Sequence, residues 1–369
     1  MDRQKAFLLV FIVLNLAIMS CSGAFGPTST LQAVTQSPFT TSTVTLVPPT
    51  RVPTTQSSPT LGLPTQVPPT QVPPTPVPPT QTPTRIVPTA KPGSKVQLKI
   101  GDYLIFGQYN GQPVVWRVIE DIANPAAQIG EAVAGDPLIL SNSILCDKAF
   151  DAADPNFTSQ ERIQYGSNQW EISSLRAWLN SSAAAGKVVW PDNNPPSEAN
   201  VQSNPYAGEM GFLADGNFTA AERAMIKPIT QKSVIYPDDQ AQSDGGTEAY
   251  DYGGQIDTIV ANYANAWYQN VTDSVFLLDP IQINAVYNLF GYFYNFDNVN
   301  YWLRAPDSPY YTDSSPANVL YIRGSDGDIL YSVANDGSMG VRPALVLDAK
   351  SIKVNSGDGS DSAPFIIGG

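Results

Sequence analysis

Beyond residue 95 the apolar positions fall in short runs broken by turn residues, and few of them keep a long period. Gly101-Asp102-Tyr103-Leu104-Ile105-Phe106-Gly107 and Pro113-Val114-Val115-Trp116-Arg117-Val118-Ile119 are β-branched and aromatic, and Asn110-Gly111 lies between them. Both turn residues tolerate positive φ, so this pattern predicts a hairpin. A third strand is expected over Pro137 to Ser141. Leu175, Trp178 and Leu179 share one face of a helical repeat at 174–180, the first such repeat in the domain. Thr219-Ala220-Ala221-Glu222 has capping-box spacing and predicts a helix that ends before Pro228. Asp279 followed by Pro280 predicts a third helix to about Leu289, after a strand at Val275 to Leu278. Strands follow at Tyr301 to Arg304, Val319 to Arg323, Ile329 to Val333 and Val341 to Leu347, with Gly324 to Asp328 as a hairpin turn. Many short strands, about three short helices and no βαβ rhythm predict an α+β fold with mostly antiparallel sheet. Ile229 to Tyr268, polar and acidic, reads as an irregular excursion.

The first 94 residues have a different texture. Arg3 and Lys5 precede an apolar run from Ala6 to Met19 that is too short for a spanning helix, as expected of an export signal over 1–20. Leu16-Ala17-Ile18-Met19-Ser20-Cys21 resembles a bacterial lipobox, which makes Cys21 the expected lipidation site and membrane anchor. Cleavage near Ala24, releasing a soluble protein, is the alternative. Val-Pro-Pro-Thr begins at Val47, Val67, Val72 and Val77. Proline fixes φ and removes donors, so 21–94 is expected to be a disordered Pro/Thr-rich stalk of polyproline type. At ~3.1 Å per residue, Val47 to Pro92 reaches on the order of 140 Å when fully extended. The globular domain is expected over 95–350, with a polar tail over 351–369.

Charge and composition exclude several classes of function. Setting aside Asp2, Arg3, Lys5, Arg51, Arg85 and Lys91 leaves 15 basic and 32 acidic residues, a net of −17 for the domain. Nothing there could neutralise a phosphate backbone, so nucleic acid is not an expected partner. The chain has no histidine, which removes imidazole catalysis, histidine-based triads and two-histidine metal sites. Paired carboxylates are the catalytic chemistry left, and no pair stands out. Cys146, in an apolar context, reads as a small buried hydrophobe. Calcium is the one cofactor with candidate ligands, either Asp326 and Asp328 or the acids at Asp238, Asp239, Asp244, Glu248 and Asp251. Neither set has EF-hand spacing, and a turn and a solvated loop are the competing readings.

The densest chemistry lies between Phe290 and Tyr311. Aromatic faces stack on sugar rings while amides and carboxylates bind hydroxyls, so Tyr292, Tyr294, Asn295, Asp297, Asn298, Tyr310 and Tyr311 are the candidate ligand-binding residues. Trp302 and Leu303 in the same stretch read as sheet anchors. Arg117, Arg304 and Arg342 sit in apolar strands, where a buried guanidinium needs a partner, and acids such as Asp102 are the expected ones. Trp116, Trp178 and Trp302 complete a set of structural signature residues with these arginines.

The ordered motifs at 101–107, 113–118, 174–180, 276–278, 301–306 (Tyr-Trp-Leu-Arg-Ala-Pro) and 340–345 (Gly-Val-Arg-Pro-Ala-Leu) resemble the bacterial domain-of-unknown-function family 6273 of exported and surface proteins. That family implies no established activity. The closing Trp-Leu-Arg and Gly-Val-Arg-Pro-Ala-Leu are also similar to the end of C-type lectin-like folds, including formylglycine-generating-enzyme-like domains. This similarity implies two small sheets and a loop-built ligand surface. The chain lacks the paired cysteines of the oxidase chemistry, so only a binding role carries over. The combined expectation is a bacterial cell-surface lipoprotein displaying a non-catalytic ligand-binding domain, with extracellular polysaccharide or protein as partner. A carbohydrate-active hydrolase and a structural adhesin are the alternatives.

Overall fold

The computed structural model describes residues 95–250, 262–291, 299–307 and 314–368. Of the two compact units into which the chain divides, Met1–Pro79 lies outside these residues and Thr80–Gly369 contains all of them. The expected signal segment, Cys21 and the whole of the expected stalk therefore lie outside the described residues. Among the described residues no helix is long and apolar enough to cross a membrane.

The fold is α+β, built on a seven-stranded and a five-stranded sheet with a small two-stranded one beside them. Strands β1 (Tyr103–Tyr109) and β2 (Gln112–Asp121) form the expected hairpin, with Asn110 at φ 51° and Gly111 at φ 74°. Both turn residues occupy the left-handed region that a tight hairpin with right-handed strand twist requires. Gly107, at φ 65°, lies where a bulge shifts the register, and a Cβ there would fall 2.2 Å from the Phe218 ring. Strand β3 (Pro137–Ser141) pairs with β2 and is buried throughout.

The five-stranded sheet has the order β10-β9-β8-β11-β4. It comprises β4 (Cys146–Asp147), β8 (Tyr301–Pro306), β9 (Asn318–Ile322), β10 (Ile329–Val333) and β11 (Gly340–Val341). Its β9–β10 hairpin turns through Gly327 at φ 84°, as the turn sequence implied. The single strand expected over Val341 to Leu347 is two strands in two sheets. β11 lies beside β8, whereas β12 (Ala344–Val346) lies between β3 and β7 (Val275–Phe276) in the other sheet. The break falls at Arg342-Pro343, where proline has no N–H to give a ladder, and the Pro343 carbonyl accepts from Ser141 N. The Gly-Val-Arg-Pro-Ala-Leu motif is thus the crossing between sheets.

Two other expectations are corrected. Residues 351–369 are no tail, because β13 (Val354–Ser356) and β14 (Phe365–Ile367) complete the seven-stranded order β13-β14-β1-β2-β3-β12-β7. β14 runs parallel to β1, and Val354, Phe365 and Ile367 bury their side chains. The polar residues between them form a turn, with Gly357 and Gly359 at positive φ. The excursion from Ile229 to Tyr268 begins and ends in a two-stranded antiparallel sheet, β5 (Ile229–Val234) with β6 (Tyr268–Asp273).

The helices at Ser174–Leu179, Ala220–Met225 and Pro280–Phe290 stand where their caps predict, and a fourth, Gln160–Tyr165, is added. Reciprocal capping boxes open the second and third, Thr219 with Glu222 and Asp279 with Gln282. Trp116, Trp170, Trp178 and Trp302 are each at most 1% exposed. Phe150 links two of them, 5.7 Å from the Trp170 ring and 6.0 Å from Trp302. Each indole finds an acceptor, as a buried N–H must: Phe106 O for Trp116, Asp273 for Trp170, Met210 O for Trp178 and Lys148 O for Trp302. Cys146 packs against the core, and burial pushes its thiol up to about 11, so it stays neutral at pH 7.

Candidate functional site

Tyr292, Tyr294, Asn295, Asp297, Asn298, Tyr310 and Tyr311 lie outside the described residues. Their flanking anchors are described. The first group enters from Phe290 and leaves at Asn300 and Tyr301, while the second lies between Asp307 and Ser314. Strand β8 separates the two sets of anchors by its six residues, about 17 Å at the usual strand rise.

The anchors of the first group meet two arginines. Arg117, half-buried on β2, lays its guanidinium over the Phe290 ring at 3.7 Å, and the Tyr103 ring centroid lies 5.2 Å away. Its Nε is shielded from solvent and has no hydrogen-bond partner. Among the described residues no carboxylate lies within ion-pair distance of it. Asp102, the expected partner, instead accepts from Lys99 N at 2.8 Å and closes a turn. Arg342, 6% exposed, donates from Nε to Ser141 O at 3.0 Å and from Nη1 to the Tyr301 hydroxyl at 3.4 Å. Burial is the main force lowering its pKa, and the nearby Arg117 charge acts in the same direction. Two guanidinium groups are therefore gathered where helix Pro280–Phe290 ends and β8 begins.

Arg304, in the next turn of chain, has the opposite environment. It is 2% exposed and donates to Leu277 O at 3.0 Å, Gln282 Oε1 at 2.9 Å and Asp279 Oδ2 at 2.7 Å. Asp279 also accepts from the Tyr263 hydroxyl at 2.6 Å. Tyr-Trp-Leu-Arg is accordingly scaffold: Trp302 ties to β4's end and Arg304 to a helix cap. Burial, reinforced by the charges of Asp279 and Asp121, raises the pKa of half-buried Glu120. Because Asp279 is committed to Arg304 and Tyr263, it does not give Glu120 a free carboxylate partner.

At the other end of β8 the excursion packs against the chain that leaves the second aromatic group. The Tyr236 hydroxyl lies 3.0 Å from Ser314 Oγ. Buried Arg162 holds both carboxylate oxygens of Asp239 at 2.6 and 2.7 Å and also donates to Pro316 O. Asp239 is thereby a structural acid rather than a calcium ligand waiting for a cation. Asp326 and Asp328 both turn to Arg323, at 2.5 Å each, in an exposed hairpin. Among the described residues no three His, Cys, Asp or Glu side chains group to hold a metal.

Among the described residues, two of the open clefts lie elsewhere. One, of ≈ 340 Å³, is lined by Ile105, Gln108, Asp215, Asn217 and Glu222. Its acids are engaged, Glu222 in the capping box and Asp215 with Arg223 at 2.5 Å. The other, of ≈ 310 Å³, lies along Lys95 to Leu98 and has no acid in its lining. The arginine site is distinguished by chemistry rather than volume. Its arginines were legible in the sequence, but the Phe290 stack was not, because residues 117 and 290 meet only in the fold.

These features define an α+β domain whose two larger sheets are linked by a strand that crosses at an arginine. A family model described as a domain of unknown function (DUF6273) matches residues 134–349, and the chain belongs to that family. The match takes in Arg304 and Arg342 and leaves β1 and β2, with Arg117, N-terminal to it. No curated protein and no solved structure matches the chain.

Proposed function

We propose that this protein is a bacterial surface lipoprotein, anchored through Cys21, whose Pro/Thr stalk carries a non-catalytic domain that binds an extracellular saccharide. The observation that carries the binding role is Arg117, a guanidinium over the Phe290 ring with no carboxylate partner among the described residues in a domain rich in acids. The ring covers one side of the group and Nε is sealed from solvent, which leaves the Nη1 and Nη2 end as the donor edge for a ligand. Aromatic side chains beside polar donors are the mixture that saccharide recognition uses. The lipobox-like Leu16 to Cys21 and the repeated Val-Pro-Pro-Thr support the placement at the cell surface.

Passing the full chain over immobilised polysaccharides and cell-wall fragments, while assaying released sugar, tests this reading. Retention without turnover is expected. Sugar release would favour a hydrolase, and failure to be retained on any saccharide would remove the binding role. Globomycin treatment of an expressing bacterium, or mass spectrometry of the mature N-terminus, tests the anchor: a diacylglyceryl-modified Cys21 is expected, and an unmodified N-terminus near Ala24 would contradict it.

A further inference from the structure

We propose that Arg117 receives a carboxylate, so that the saccharide bound by this domain is an acidic one, a uronate or a sugar bearing a comparable carboxyl group. This rests on the saccharide-binding reading above and narrows it to one chemical class.

Arginine's partners elsewhere in the molecule provide the contrast. Arg162, Arg176, Arg223, Arg304 and Arg323 each hold an aspartate at 2.5 to 2.7 Å. The domain's 32 acids make a partner easy to supply, yet Arg117 has none within ion-pair distance among the described residues. Its Nε is sealed from solvent without an acceptor, whereas Nη1 and Nη2 are not, so the terminal end of the guanidinium is the edge a ligand can reach. The Phe290 ring at 3.7 Å and the Tyr103 ring at 5.2 Å pack against the guanidinium and restrict its movement. A guanidinium held in this way offers Nη1 and Nη2 as a pair of N–H donors, a fork that a carboxylate accepts bidentately.

The domain's net charge of −17 argues against attraction to polyanions as such. Recognition must then come from one well-placed contact, not from a field, and it should carry the salt dependence of about one ion pair.

Calorimetric titration of the full chain with oligogalacturonate, and with the same oligosaccharide as its methyl ester, tests this. The ester keeps ring and hydroxyls and removes the charge. The acid is expected to bind at least tenfold more tightly, and Arg117→Met should abolish that preference. Arg117→Lys, which keeps charge and loses the fork, should weaken the acid by roughly tenfold, since a charge-assisted pair exceeds a single contact by about that factor. Arg323→Met, at the exposed hairpin, should leave the ratio unchanged. Equal binding of acid and ester by the unaltered chain, or a preference that survives Arg117→Met, overturns the inference and leaves saccharide binding standing. Absence of binding to either probe, together with no retention on the polysaccharide panel, removes both. Should Arg117→Met fail to fold, the Nε–H resonance of Arg117 in the unaltered protein decides: a shift on adding galacturonate supports the contact, and no shift at saturating probe refutes it.

Discussion

Arg304 and Arg117 are the same residue type, each on a strand among apolar neighbours, yet they have opposite environments. Arg304 is enclosed by Asp279, Gln282 and the Leu277 carbonyl. Arg117 rests on a ring and keeps Nε without an acceptor. The difference is one of consequence on removal. Truncating Arg304 leaves Asp279 buried and uncompensated, whereas truncating Arg117 leaves no carboxylate behind. A guanidinium whose loss the fold tolerates is one the fold does not need.

The largest effect is expected at Arg304. Arg304→Ala should lower the unfolding free energy by about 3–5 kcal/mol, because it isolates a buried carboxylate that also caps a helix. Equilibrium denaturation would read this as a lower midpoint at similar slope, and a loss below about 1 kcal/mol would break the contrast.

Asp151 should come next. It is 4% exposed and accepts from Ser167 N at 2.9 Å, Ser174 N at 3.0 Å and Ser174 Oγ at 2.9 Å. Every one of these contacts is a donor, so in Asp151→Asn the amide NH2 has to meet one of them, at a cost of about 1–3 kcal/mol. Burial pushes the Asp151 carboxyl from 3.8 up to about 6 against those hydrogen bonds. The folded state therefore binds this proton more tightly than the unfolded chain does. Its stabilising contribution is full below about 3.8 and is lost as pH rises through about 6. Denaturation midpoints of the unaltered protein minus those of Asp151→Asn should fall between pH 4 and 7, and a difference that rises would contradict the assignment.

Arg117→Met should cost no more than about 1 kcal/mol, the lost stacking on Phe290 being its main consequence. The smallest effect is expected at Arg323→Met, since Asp326 and Asp328 bind it at the exposed tip of a hairpin. Its thermal midpoint should match that of the unaltered protein, and a clear drop would give that turn a structural weight it is not assigned here.

Local chemistry was what the sequence made legible. Asn110-Gly111, Thr219 with Glu222, and Asp279 with Pro280 each specify their turn or cap within four residues, and each stands where it was expected. The break at Arg342-Pro343 was hidden because a run of apolar residues reads as one strand until two sheets divide it. β13 and β14 have three residues each, too few for an alternation to show. Site geometry was the least legible: Asp279 lies 25 residues before Arg304, and Asp239 lies 77 after Arg162. No local pattern could assign Asp279 rather than Asp102 to an arginine, or foresee that Phe290 would lie beneath Arg117.

The most direct test measures Arg304→Ala and Arg117→Met side by side, in denaturant and on immobilised acidic polysaccharide. Arg304→Ala is expected to lose several kcal/mol of stability, while Arg117→Met keeps nearly all of it and loses retention. Arg117→Met destabilised as severely as Arg304→Ala would break the contrast between the two arginines, and Arg117→Met stable and still fully retained would contradict the assignment of Arg117 to a ligand.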